Sequence, residues 1–307
     1  MKTSDLFPVN ENVVTEILKL FDRTEETLME DVIYLKQWME GQPHLPEILD
    51  EHRIRNFLTL NKCSVEKTKQ KIDMYYTIRS LIPDMFEDIN PKHPNMEQLL
   101  DIIYWTPLPQ LTKEMYRVYI LKMRNKELIE KLEPHDVCAH VFNMQEIRMT
   151  EDYILGDVII FDMDGFAMSY LIKLTPMVIA KFITIYEKVY SLPLKGVYII
   201  NSHPFINTVL TIVKTLLKPK LFQRIYVCED MKLLHENIPR EMLPKDYGGD
   251  EKSCEEIQEL IKVKLDEYKE RFDRLDRTRV DERLRPEKLK NDEILGFHGK
   301  FKKLNVD

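Results

Sequence analysis

Glycine is scarce in this chain, eight residues in 307, and two phosphate-cradling loops are missing with it. Neither GxGxxG nor GxxxxGK[ST] occurs, which excludes the glycine-rich turns that dinucleotide-binding and P-loop folds place against a pyrophosphate. GxSxG and HExxH are absent too, so neither a nucleophile elbow nor a paired-histidine zinc helix is available. Cys63, Cys138, Cys228 and Cys254 are scattered without CxxC spacing. That excludes a disulfide framework and a zinc ribbon, and leaves four separate reduced thiols. No window reaches the roughly 18 uninterrupted apolar residues of a membrane span, and the opening MKTSDLFPVNENVV has no basic region followed by an apolar run. The expected location is cytoplasmic, with contact at membranes only peripheral. A net charge of -7 gives no general attraction to nucleic acid, so binding to an anionic surface would need a local basic cluster.

What is present divides into three stretches. Residues 1–103 read as a helical module. Val13, Val14, Ile17, Leu18 and Phe21 have amphipathic spacing, a second helix covers 25–39, and Gly41 with Pro43 ends it. Pro46 and Asp50 prepare a third helix through Ile54, Phe57 and Leu58. Ser64 can cap a fourth, which Pro83 terminates. Residues 104–250 change character. Tyr116, Val118, Ile120 and Met123 suggest a strand, DVIIFDM at 157–163 and KGVYII at 195–200 suit strands buried on both faces, and 225–228 is a fourth. Helices expected over 134–149 and 176–190 alternate with them, which predicts an α/β fold with crossover connections. Residues 251–307 hold one amphipathic helix over 255–275 and a charged tail.

Candidates for chemistry are weak. His135, Cys138 and His140 can approach one another on a helix, but spacing identifies no further ligand. Asp162 and Asp164 begin like a calcium loop, yet Lys173 stands where a bidentate glutamate is needed. No metal, cofactor or catalytic group is expected, and the chain does not read as an enzyme.

Ile206, Val209, Leu210, Val213, Leu216 and Leu217 instead form a continuous stripe on one helix face, bounded by Pro204 and Pro219. Ordinary core packing gives such a stripe, and so does the cover of a lipid cavity. Lys214, Lys218, Lys220 and Arg224 gather at its C-terminal end, where they suit the helix dipole, a solvated face, or a lipid phosphate.

Longer segments narrow these alternatives: LKQWMEGQPHLP at 35–46, RNFLTLNKCSVEKTKQKIDMYYTIR at 55–79, VIIFDMDGF at 158–166, LKGVYIIN at 194–201, the K-x5-K-x3-R of Lys214, Lys220 and Arg224, and MLPKDYGG at 242–249. In this order they resemble the CRAL-TRIO lipid-binding family over most of residues 30–250. The resemblance implies a helical module, then an α/β domain with a mixed or mostly parallel sheet, and a ligand enclosed beneath a mobile lid helix that corresponds to 206–217. It implies binding, and transfer, of a small hydrophobic molecule such as a retinoid, tocopherol or carotenoid. Phe161, Phe166, Phe182, Ile185, Ile199, Ile206, Val209, Leu210 and Val213 are then expected to form the pocket or its closure, and His140 or Asn143 to orient a head group.

Some members of that family engage phosphoinositides through a basic groove, and here Lys214, Lys218, Lys220 and Arg224 would serve. The match departs at two points, since Pro193 stands at a strand-entry position that is lysine there, and Thr59 or Asn61 falls near the cation of the helical module. The competing expectation is a phosphoinositide-binding signalling adaptor that uses the same fold without carrying cargo.

Overall fold

The computed structural model describes residues 5–8, 11–190 and 193–287. Four helices open the chain: α1 (Glu11–Leu20), α2 (Glu25–Glu40), α3 (Glu51–Leu60) and α4 (Val65–Leu81). Their starts follow local chemistry. Thr24 and Thr27 form a reciprocal capping box on α2, and the Asp50 carboxylate accepts from the Arg53 N–H at 3.0 Å on α3. Ser64 occupies the same position before α4 but makes no side-chain cap hydrogen bond, so the cap expected there is not formed. α5 (Pro94–Ile102), with proline in its first turn, leads directly into the sheet.

Among the described residues the sheet has five strands in the order β1-β2-β3-β4-β5: Ile103–Leu111, Tyr116–Met123, Gly156–Asp162, Leu194–Ile200 and Ile225–Val227. β1 pairs antiparallel with β2, and the other three ladders are parallel. β1 is the strand that the sequence reading omits. It carries Pro107 and Pro109, which cannot donate to a ladder, and it lies at the sheet edge with an irregular register between Pro107 and Leu111. Proline is tolerated there and not in a central strand.

The parallel ladders need crossovers. α6 (Pro134–Glu151) joins β2 to β3, α7 (Met168–Lys173) and α8 (Pro176–Ile185) join β3 to β4, and α9 (Ile206–Leu216) with α10 (Pro219–Phe222) join β4 to β5. The helix expected over 176–190 is not regular to its end: α8 stops at Ile185 and the backbone widens into a π turn over Tyr186–Tyr190. α11 (Lys232–Asn237) precedes the DYGG segment. A Cβ on Gly249 would lie 1.9 Å from the Leu243 carbonyl oxygen, so only glycine permits this backbone approach. The single helix expected over 255–275 is two, α12 (Cys254–Glu267) and α13 (Lys269–Leu275), divided at Tyr268. Beyond α13 the chain returns to the helical module, where Arg285 pairs with Asp73 at 2.7 Å. The tail beyond residue 287 lies outside the described residues.

Buried charge joins the parts. Glu146 of α6 accepts from Arg53 of α3 at 2.9 Å, from Arg79 of α4 at 3.2 Å and from the Tyr75 hydroxyl at 2.7 Å, and Arg271 of α13 lies 3.7 Å from it. Burial alone would raise the Glu146 pKa, but Arg53, Arg271 and Arg79 together hold it below the usual value. A second buried set links α6 to the sheet, with Arg148 reaching Asp157 at 2.8 Å and Asp152 at 3.1 Å, and Arg117 reaching Asp152 at 2.6 Å.

Candidate functional site

The register of the parallel strands aligns one row of side chains. Tyr119 pairs with Ile159, Ile159 with Val197 and Val197 with Ile225, so these four share a face of the sheet. Pro107 pairs with Tyr119, which puts Trp105, two residues away, on that face as well. The Trp105 and Tyr119 rings stack at 4.6 Å. Ile159, Val197, Ile225 and Trp105 form the floor of a cavity of about 660 Å³, within the usual span for small-molecule sites.

Several elements wall it in. α8 supplies Ile179, Phe182 and Ile183, the π turn supplies Tyr186, and α6 supplies Val141. Val213 of α9, Leu217 and Leu221 close the side farther along the chain. The helical module completes the wall through Leu60, Asn61 and Lys71. The lining is thus mainly aliphatic and aromatic, and each ligand methylene moved into it from water gains about 0.8 kcal/mol.

Few polar atoms face this space. The Trp105 indole Nε1 is buried without a hydrogen-bond partner. The Tyr186 hydroxyl donates to Asp157 at 2.6 Å and the Asn61 amide to the Phe57 carbonyl at 2.8 Å. Lys71, Glu187, Lys188 and Lys218 are also in the lining. Burial, with Lys188 and Lys218 nearby, pushes the Lys71 ammonium down to about 8, against the opposing pull of Glu187.

The residues expected to form the pocket do not all meet here. Phe182 and Val213 line it. Ile199 and Phe161 pair in register, two residues beyond Val197 and Ile159 on the same face, but Phe161 packs edge-on against Phe166 at 5.2 Å and Ile199 is buried outside the lining. Ile185 and Ile206 are core residues, and Val209 and Leu210 are partly buried against that core. Neither proposed head-group ligand reaches the cavity. Asn143 donates to the Ile89 carbonyl at 2.6 Å, and His140 is buried with its Nε2 unpartnered, its pKa lowered by burial to about 4. The sequence reading missed Leu60, Asn61, Lys71 and Trp105, because the helical module and the edge strand were not expected to enter the wall.

The basic residues separate as well. Lys218 lines the cavity and pairs with Glu187 at 3.1 Å. Lys214 and Lys220 are exposed, the Lys214 ammonium lying 5.8 Å from the Phe222 ring centre. Arg224 donates to the Leu194 carbonyl. Lys195 extends the patch: burial lowers its pKa, and Arg224, Lys62 and Lys220 lower it further. Lys62 and Lys195 therefore belong to the same positive region, although sequence spacing did not group them.

Comparison with known proteins gives two family matches, residues 24–96 to the Pinta-like UBA domain and residues 104–249 to the CRAL/TRIO domain. The chain is 25% identical over 246 residues to the alpha-tocopherol transfer protein-like protein of Mus musculus, covering 78% of this chain and 71% of that one. It is 23% identical over 227 residues to clavesin-1 of Xenopus laevis, covering 73% and 68%. A similar solved structure is the crystal structure of Sfh5, with a TM-score of 0.43 and 14% identity over 82% of this chain and 92% of that one.

Proposed function

Because this chain carries the CRAL/TRIO domain of a lipid-binding family, we propose that it binds a small hydrophobic ligand in the cavity beneath α9 and carries it between membranes. The observation that supports this reading most is the apolar chamber of about 660 Å³ between the sheet, α8 and α9. Transfer is reversible on energetic grounds, since a lipid that leaves a bilayer for such a chamber exchanges one apolar surrounding for another. No reacting group is needed for that exchange, and the reading is of a carrier and not of an enzyme. Among the described residues no helix is long and apolar enough to cross a membrane; the proposed setting is the cytoplasm, with visits to membrane surfaces.

Phosphoinositide-assisted release is the second part of the reading. It is favoured by the cluster of Lys195, Lys220 and Arg224 next to Lys62: burial first, and then repulsion from these cations, lowers the Lys195 pKa, and an anionic head group would relieve that repulsion. An adaptor that binds phosphoinositide without cargo would share this patch but would not need the chamber.

The test is native mass spectrometry with lipid extraction, on the full chain and on Val213→Asp. The parent is expected to retain an apolar ligand in stoichiometric amount. Val213→Asp introduces a carboxylate into the lining and is expected to lower occupancy at least about tenfold, with circular dichroism reporting that the fold is intact. An empty parent that still binds anionic vesicles would favour the adaptor.

A further inference from the structure

The charged side chains of the lining gather at one place, and the charge there is unbalanced. Lys71, Lys188 and Lys218 all border it where α4 meets the π turn, and the one carboxylate in the lining, Glu187, is already paired with Lys218 at 3.1 Å. Lys71 donates to the Glu187 carbonyl oxygen. Among the described residues neither Lys71 nor Lys188 makes a salt bridge. An ammonium has three donors, so two on Lys71 are left after that single backbone contact.

We infer that the π turn and α4 form an anion-binding end to the cavity, in which Lys71 and Lys188 hold the carboxylate or phosphate head of a single-chain amphiphile whose tail lies over Ile159, Val197 and Phe182. The inference rests on the cavity holding a ligand, as proposed above, and specifies its class: an anionic amphiphile in preference to a neutral alcohol or aldehyde.

Three arguments carry it. Lys71 is partly buried beside the apolar wall without a carboxylate partner among the described residues, and an anion that completes such a cation offsets the cost of desolvating it. The Lys71 ammonium already feels that cost, since burial and its cationic neighbours depress its pKa against the pull of Glu187, and an anion at Nζ would oppose that depression. The π turn supplies the geometry: it places Tyr186, Glu187 and Lys188 in the lining, with the Glu187 carbonyl accepting from Lys71 of α4.

The experiment measures displacement of an environment-sensitive fluorophore from the full chain by oleic acid, oleyl alcohol and inorganic phosphate at neutral pH. Oleate is expected to bind at least about tenfold more tightly than oleyl alcohol, the effect of one charge-assisted hydrogen bond. That ratio is expected to fall towards one in Lys71→Met and to persist in Lys71→Arg. Lys188→Gln combined with Lys218→Gln, at exposed positions, reads the same ratio should Lys71→Met fail to fold. Equal affinity for oleate and oleyl alcohol overturns the anionic head while leaving the apolar chamber standing. Binding of neither overturns both readings. Displacement by phosphate alone at oleate's concentration overturns the lipid assignment, because the tail would then contribute nothing.

Discussion

His140 shows what one side chain in the wrong place for its expected role does instead. It sits inside α6 away from the cavity, fully buried, and stays neutral because burial lowers its pKa from 6.5 to about 4. The unfolded chain binds a proton near 6.5 and the folded chain only near 4. Between those values the unfolded state therefore holds more protons, and stability falls as pH is lowered. From pH 7 to pH 5 this single residue is expected to cost about 2 kcal/mol of stability. Urea denaturation of the parent and of His140→Leu at both pH values checks it. The variant is expected to lose less stability across that interval, and parallel losses would remove His140 as the source. Lys71 has the converse history. In sequence it lies among Lys67 and Lys69 and reads as one more solvated lysine, and only the meeting of α4 with the π turn reveals it as part of the wall.

At the scale of elements, α9 and α10 divide two tasks between their ends. The apolar stripe was visible from its spacing, but spacing does not say which of its members look into a hollow: Val213 and Leu217 do, whereas Val209 and Leu210 pack on neighbouring core. The basic end continues into β5 and gathers Lys220 and Arg224 beside Lys195. Lys220→Ala with Arg224→Ala is expected to weaken binding to phosphoinositide-containing vesicles, by about 1 kcal/mol per cation lost near the surface, and the difference should shrink as salt is raised. Vesicle co-sedimentation at low and high ionic strength measures both; binding equal to the parent at low salt would move the contact elsewhere. The central strands were legible because their apolar runs are short and bounded. β1 was not, since prolines mask a strand that survives only at an edge, and the π turn was not, since its residues continue the pattern of α8 with no breaker to mark the change.

For the whole molecule, the decisive tie is the buried carboxylate of Glu146. Arg53 and Arg79 come from the helical module and Arg271 from the helix after the sheet, and all three reach this anion, although Arg53 also pairs with Asp50 and Arg271 with Glu47. Replacing it leaves buried Arg79 without a carboxylate and Arg53 and Arg271 with one fewer, and losing one partner of a buried pair costs about 3–5 kcal/mol. Glu146→Gln, which keeps the shape, is expected to lower unfolding stability by that amount and to do so at every segment at once. Chemical denaturation followed by tryptophan fluorescence, with Trp38 in α2 and Trp105 in β1, tests the claim; an unchanged midpoint would show that the network is dispensable. The α/β class followed from periodicity. The ionic tie at Glu146 did not, because Arg53, Arg79, Glu146 and Arg271 are far apart in sequence and each resembles an ordinary surface charge there.

Leu60, Asn61 and Lys71 belong to the helices that precede the sheet domain, yet they stand in the same chamber wall as Val197 and Phe182. The chamber wall is therefore split along a seam between α3–α4 and the sheet with its crossover helices. A slight parting of that seam, with every helix still intact, would open a side door on the chamber without any movement of α9.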